Sequence, residues 1–336
     1  METLTWLADR RRKRPRTDVN PSGSSQSSTS LNPPPLNLQQ TPPETEHSGL
    51  SYQIPPGLSF LDGVEVWYDC SEATMDICFV HGLTGDRDTT WTVNGQSTPW
   101  PKTLLPHKLQ KARILTYGYD AYIVQKSVAS SNRLIDHAMN LVNDLTSDRA
   151  GCNASTRPLV FVAHSLGGLV CKEAILLSRN NPEAHLRGIF DCTKGIIFMG
   201  TPHKGSWMAD WANIPASALG LMKSTNKSLL KILETDNQFL ESIQVRFWSM
   251  IRELRDGGRS LEVTCFFEEL PLPVFGKQVV SKESAILEGY NSMSIHANHK
   301  DMVKFGSAED NGFRRLLGEL TRWEEQVRYL VRYEPS

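Results

Sequence analysis

The run Val160-Phe-Val-Ala-His-Ser165-Leu-Gly-Gly168 constrains this chain more than any other stretch. Four apolar residues lead through a histidine into a serine with two glycines close behind. That order describes a buried strand ending in a sharp turn, with a helix starting behind it. Such a turn lifts the serine hydroxyl clear of the backbone and needs small neighbours. Gly167 is one; Ala163 stands where the other is usually glycine, the smallest departure a side chain can make. By itself the run also fits an ordinary strand–turn–helix junction that happens to contain a serine, so the rest of the chain has to decide.

From about residue 60 onward, short apolar runs alternate with helical segments, which predicts an α/β fold with a mainly parallel central sheet flanked by helices. The expected strands are Val64–Tyr68, Ile77–Val80, Arg113–Tyr117, Leu159–Ala163, Gly195–Met199, Val263–Phe267 and Gln278–Val280. Helices are expected over Leu134–Thr146, Leu166–Ser178 and Phe313–Tyr333; in the last, Phe313, Leu316, Leu317, Leu320, Trp323, Val327 and Leu330 form a core-facing stripe. Residues 206–259 read as a helical insertion after the fifth strand, a cap or lid on one domain spanning 56–336.

Residues 1–55 differ from the rest. A basic cluster, Arg10-Arg-Arg-Lys-Arg-Pro-Arg16, precedes a Ser/Pro/Gln-rich tract with too few apolar side chains to offset chain entropy, which predicts a disordered arm. The cluster reads as a nuclear import signal, an organelle-targeting segment or a solvated arm. Net charge is -1, which argues against bulk attraction to nucleic acid. Six cysteines are scattered without metal or disulfide spacing, several within apolar runs, as in a reducing intracellular compartment, cytoplasmic or nuclear, with a mitochondrial or membrane-associated site as the alternative.

A serine hydroxyl needs a general base, a group to orient that base, and donors for the developing oxyanion. Val80-His-Gly-Leu83 closes an earlier strand, and the amides of Leu83 and Leu166 are the expected donors, with Gly82 allowing close approach. His81 fits an orienting role in that loop. The base is sought late in the chain, where His296 and His299 lie in a polar loop; His299 is preferred because it leads straight into Asp301-Met-Val-Lys-Phe305, at an expected loop–helix boundary. Glu268 and Glu269 end the penultimate expected strand. Glu268 is the better acid candidate, with Glu269 close behind and Glu283 third. His203, in Gly200-Thr-Pro-His-Lys-Gly-Ser206, and His164 stand near the site. No metal-ligand spacing, phosphate loop or dinucleotide pattern is present, so no cofactor is expected.

Taken in order, Phe79-Val-His-Gly-Leu-Thr-Gly85, Trp100-Pro-Lys-Thr-Leu-Leu-Pro106, Ile114-Leu-Thr-Tyr-Gly-Tyr-Asp120, Ala163-His-Ser-Leu-Gly-Gly168, Phe198-Met-Gly-Thr-Pro-His203 and His299-Lys-Asp-Met-Val-Lys-Phe305 resemble the α/β-hydrolase superfamily. More narrowly, they resemble a lipase-like group of mitochondria-associated serine-active-site proteins, GPI inositol-deacylase-like esterases and the hydrolase modules of fungal NACHT-type receptors. The resemblance implies ester hydrolysis with Ser165 as nucleophile, His299 as base and Glu268 as its partner, on a small-molecule or lipid ester, with peripheral membrane contact as a further expectation. Acyl transfer or cyclisation by the same three groups, and a non-catalytic signalling module on a hydrolase scaffold, are the alternatives.

Overall fold

The computed structural model describes residues 61–82, 85–120, 130–204, 237–273 and 275–333. All of them belong to a unit spanning Pro56–Ser336; the arm with its basic cluster lies outside the described residues.

Among the described residues, seven strands form one sheet: β1 Gly63–Tyr68, β2 Met75–Val80, β3 Ala112–Gly118, β4 Leu159–His164, β5 Thr193–Met199, β6 Glu262–Glu268 and β7 Asn291–Ile295. Their spatial order is β1-β3-β2-β4-β5-β6-β7. β1 runs antiparallel to β3 and every other pairing is parallel. The inner strands β2, β3 and β4 are buried along their whole length, because helices cover both faces of a parallel sheet; hence their unbroken apolar runs.

One face packs against α2 (Ser130–Gly151), α3 (Gly167–Arg179), α4 (Ala184–Cys192) and α5 (Asn237–Asp256). The other packs against α1 (Trp100–Leu104) and the terminal helix Asn311–Tyr333, whose Phe313, Leu316, Leu320 and Trp323 are buried as the apolar stripe requires. One further turn of helix, α6, spans Lys282–Ala285; the terminal helix is α7. All six cysteines are free, and Cys78, Cys171, Cys192 and Cys265 are buried as small hydrophobes.

The topology chooses where a site can form. From β2 the chain steps outward to β3, then returns through α2 to β4 on the other side of β2. At that reversal the connections leave in opposite directions, and in open α/β sheets ligand sites form at such a reversal, by the carboxyl ends of the strands. Ser165 follows β4 directly, and His81-Gly82 follows β2. At the opposite end of the sheet, Asp76 is buried among guanidinium groups, 2.5 Å from Arg149, 2.9 Å from Arg157 and 3.2 Å from Arg113.

Two expectations need correction. Gln278–Val280 is not a strand; it is a loop with Val279 and Val280 buried, and the last strand is Asn291–Ile295. An edge strand with Asn, Ser and Ser at three of five positions carries too little alternation to be read from sequence. Nor does His299 stand at a loop–helix boundary: residues 299–303 form turns, and α7 starts only at Asn311. The segment is held by burial of Met302, Val303 and Phe305 and by the Trp100 indole N–H, which donates to the Val303 carbonyl at 2.7 Å. Of the 206–259 insertion, the part from residue 237 is described, and it contains α5; Trp207 and Trp211 lie outside the described residues.

Candidate active site

Ser165 sits at φ +54, a left-handed conformation that a serine adopts only when its surroundings hold it there. The turn is fixed on both sides. The Ser165 N–H donates to the Met199 carbonyl of β5 at 2.9 Å, and α3 starts two residues later. The loop after β2 presses against the elbow so closely that a Cβ on Gly82 would lie 2.7 Å from the Ser165 Cβ. On the other side a Cβ on Gly167 would collide with the His81 carbonyl oxygen. Ala163 is fully buried in β4, its methyl part of the core.

His299 meets this serine from the far end of the chain. Its Nε2 lies 3.0 Å from the Ser165 Oγ across 134 residues of sequence. On the other side of the ring, Nδ1 lies 3.4 Å from Glu268 Oε1. Glu268, the last residue of β6, is fully buried, and its Oε1 also accepts the Val280 N–H at 2.7 Å. The misread 278–280 segment is therefore what holds this carboxylate in place.

The runner-up residues find each other instead. Glu269 points to the opposite side of the strand end, where its Oε2 lies 2.7 Å from Nδ1 of His296, and both are exposed. Glu283 is exposed on α6. The structure thus brings together Ser165, His299 and Glu268, and leaves the alternatives on the surface.

Two further histidines are locked neutral. His81 is fully buried and stacked on Tyr119, ring centroids 4.3 Å apart. The Tyr119 N–H donates to its Nε2 at 3.2 Å, which leaves the proton on Nδ1, 2.9 Å from the Gly82 carbonyl. Burial pushes its pKa down to about 4, so it braces the loop as an uncharged ring at neutral pH. His164 donates from Nε2 to the His299 carbonyl at 3.0 Å; burial, followed by the neighbouring His299, holds its pKa well below the usual histidine value.

Of the two expected oxyanion donors, Leu166 caps the N-terminus of α3, where a helix leaves its first amides unpaired and carries partial positive charge. Leu83 lies outside the described residues.

Sequence reading passed over one group in this neighbourhood, Lys172, because a lysine on a helix usually faces water. The signal was in the run Gly167-Gly-Leu-Val-Cys-Lys-Glu-Ala-Ile-Leu176, where Lys172 and Glu173 are the only charged residues and no broad polar face exists to carry them. All ten of these residues are buried.

The strand order, with one antiparallel strand at the start, an elbow after β4, a carboxylate closing β6 and a histidine after β7, defines an α/β-hydrolase fold. Among curated proteins, the chain is similar to Protein SERAC1. It is 26% identical to the mouse protein over 293 residues, covering 78% of this chain and 41% of that one. With the human protein the identity is 26% over 257 residues, covering 68% and 36%. The chain therefore spans about two-fifths of the length of these relatives. No model of a known protein family matches. Among solved structures, a carboxylesterase of the thaumarchaeon Nitrososphaera gargenis is 13% identical with a TM-score of 0.46, covering 78% of this chain and 95% of that one. A haloalkane dehalogenase loop variant from Bradyrhizobium elkanii is 12% identical with a TM-score of 0.44, covering 79% and 94%.

Proposed function

We propose that this chain is a serine hydrolase that cleaves a carboxylic ester through an acyl-enzyme on Ser165. The observation that carries this reading is the succession of three buried groups, Ser165 Oγ 3.0 Å from His299 Nε2 and His299 Nδ1 3.4 Å from Glu268 Oε1. That spacing lets Nε2 take the hydroxyl proton as Oγ attacks an ester carbonyl. The Glu268 carboxylate holds the proton on Nδ1 and stabilises the imidazolium. The oxyanion forms beside the N-terminus of α3, where the Leu166 amide, joined by that of Leu83, donates to it. His299 then returns the proton to the leaving alkoxide, and water enters by the same route in reverse to release the acid.

The substrate class is a lipid-like or bulky acyl ester, supported by the motifs that resemble lipase-like and inositol-deacylase-like esterases and by the apolar insertion at 206–259, read as a cap over the site. The basic cluster Arg10–Arg16 is proposed as an import signal.

Fluorophosphonate labelling of the full chain with mapping of the modified residue tests the central reading. Ser165 should carry the label, and Ser165→Ala should lose both labelling and hydrolysis of p-nitrophenyl acetate with the fold intact. Wild-type turnover by that variant would refute the proposal.

A further inference from the structure

Lys172 is fully buried, and no carboxylate among the described residues pairs with it. Its Nζ donates to His203 Nδ1 at 2.6 Å and to Gln244 Oε1 at 2.5 Å, between the rings of Phe198 and Phe247. Burial pushes its pKa down to about 7. His203 is also buried; burial and the adjacent lysine hold its pKa well below the usual histidine value, so its Nδ1 accepts and its Nε2 proton faces the Cys265 sulfur at 3.6 Å. A buried amine without an anionic partner costs folding free energy, and an apolar side chain of similar size would pack there at less cost.

What the amine touches gives it a task. His203 ends the four-residue loop Gly200-Thr-Pro-His203 that follows β5. At its other end, Gly200 backs the His299 ring at φ +60, so closely that a Cβ there would sit 2.9 Å from Cε1. The loop has little freedom between these ends. The Gly200 N–H donates to the Phe266 carbonyl at 2.8 Å, Thr201 is fully buried, Pro202 fixes its own φ, and the His203 N–H donates to the Ser284 carbonyl at 2.7 Å. Lys172 itself belongs to α3, the helix that positions Ser165. One side chain thus joins the nucleophile's helix to the loop behind the base.

We propose that Lys172 is a positioning residue for the chemistry at Ser165, fixing the Gly200–His203 loop against His299 from the elbow helix. This rests on the serine hydrolase reading. Its bond to Gln244 of α5 is a separate, packing contact, reinforced by the nearby Arg246–Glu173 ion pair between the same two helices at 2.7 Å.

The test uses the full chain carrying Lys172→Met, His203→Leu, Gln244→Leu, the Lys172→Met/His203→Leu double change and the triple change. Turnover of p-nitrophenyl acetate, KM and thermal midpoint are measured for each. Lys172→Met and His203→Leu should each lower kcat by about 10–100-fold with KM within about threefold, as small misplacements of a reacting group do. The double variant should be no slower than the slower single, because both remove one link. Gln244→Leu should stay within about threefold. The triple variant, with every partner made apolar together, should regain the midpoint lost by Lys172→Met and still be slow, which a purely structural lysine would not produce. Should Lys172→Met fail to fold, the triple variant decides alone. A kcat within threefold of wild type in Lys172→Met or the triple variant overturns the proposal, as do multiplicative losses in the double. Wild-type protein left unlabelled at Ser165 by fluorophosphonate overturns the hydrolase reading, and this one with it; a labelled wild type confines any failure to Lys172.

Discussion

Replacing Glu268 with glutamine removes a charge and almost nothing else. The amide oxygen can still accept from Val280 and face His299 Nδ1, as Oε1 does now at 2.7 and 3.4 Å. On the proposed mechanism, what disappears is the attraction between a carboxylate and the imidazolium formed as Ser165 gives up its proton. With each charge spread over two atoms, the effective separation is about 4 Å, and at an effective dielectric of about 20 the attraction is about 4 kcal/mol. That converts to about 10³ in rate; the amide dipole retains part of it, so a loss of 10²–10³-fold in kcat is expected. Glu269→Gln is the internal control. Its pair with His296 is exposed and worth at most about 1 kcal/mol, with no reacting atom nearby, so turnover should stay within several-fold. The assay is p-nitrophenyl acetate turnover at pH 8, alongside the rate of fluorophosphonate labelling and a thermal melt of each variant. Glu268→Gln turning over within tenfold of wild type, while folded, would refute the electrostatic role. A Glu269→Gln loss as large as that of Glu268→Gln would refute the distinction between the two.

Gly82→Ala should cost about 1–3 kcal/mol of stability and at least tenfold in kcat, because its methyl would fall 2.7 Å from the Ser165 Cβ; a melt and a labelling rate check both, and an unchanged labelling rate would show that the elbow yields freely. Lys172 should make stability depend on pH. Its folded pKa of about 7 lies below the unfolded value of about 10.5, so between the two the unfolded chain binds a proton the native state lacks. Stability therefore rises with pH across that window, by about 1.4 kcal/mol per unit at most, and is lost as pH falls from 10.5 towards 7. Urea unfolding at pH 7 and 9 should show this slope flattened in Lys172→Met, and parallel slopes would contradict it. Deleting residues 1–50 should leave ester turnover unchanged but redistribute a tagged protein in the cell; an unaltered distribution would reduce Arg10–Arg16 to a solvated arm.

The central strands were legible because parallel strands covered on both faces cannot avoid being apolar runs, as in Ile77–Val80 and Leu159–Ala163. The serine turn was legible because its steric demands leave a mark in small residues. β7 was not, since one edge of it faces water and its sequence Asn-Ser-Met-Ser-Ile needs no alternation. The buried pair at Val279-Val280 imitated a strand, although its backbone is used to hold Glu268. The pairing of two histidines with two glutamates could be narrowed from sequence and no further, because both partitions obey strand alternation. Lys172 escaped for a different reason: helix patterning shows that a face is buried, but not that a charge placed there has a partner.

The contact between His299 and Ser165 spans 134 residues, and this gives the site a history as well as a geometry. On a ribosome adding about 5–20 residues per second, the serine leaves roughly 7–27 s before the histidine exists. During that interval the elbow, β2 and β5 are all available to fold, yet the hydroxyl has no base. On the proposed mechanism the nascent polypeptide is unreactive towards an ester until His299 arrives. Under that mechanism, reactivity requires β7 at the sheet's edge and Met302, Val303 and Phe305 in the core. In a translation-arrest series stepped through the codons that follow His299, the onset of fluorophosphonate labelling would report the moment of tertiary closure, with the candidate site serving as its own folding clock.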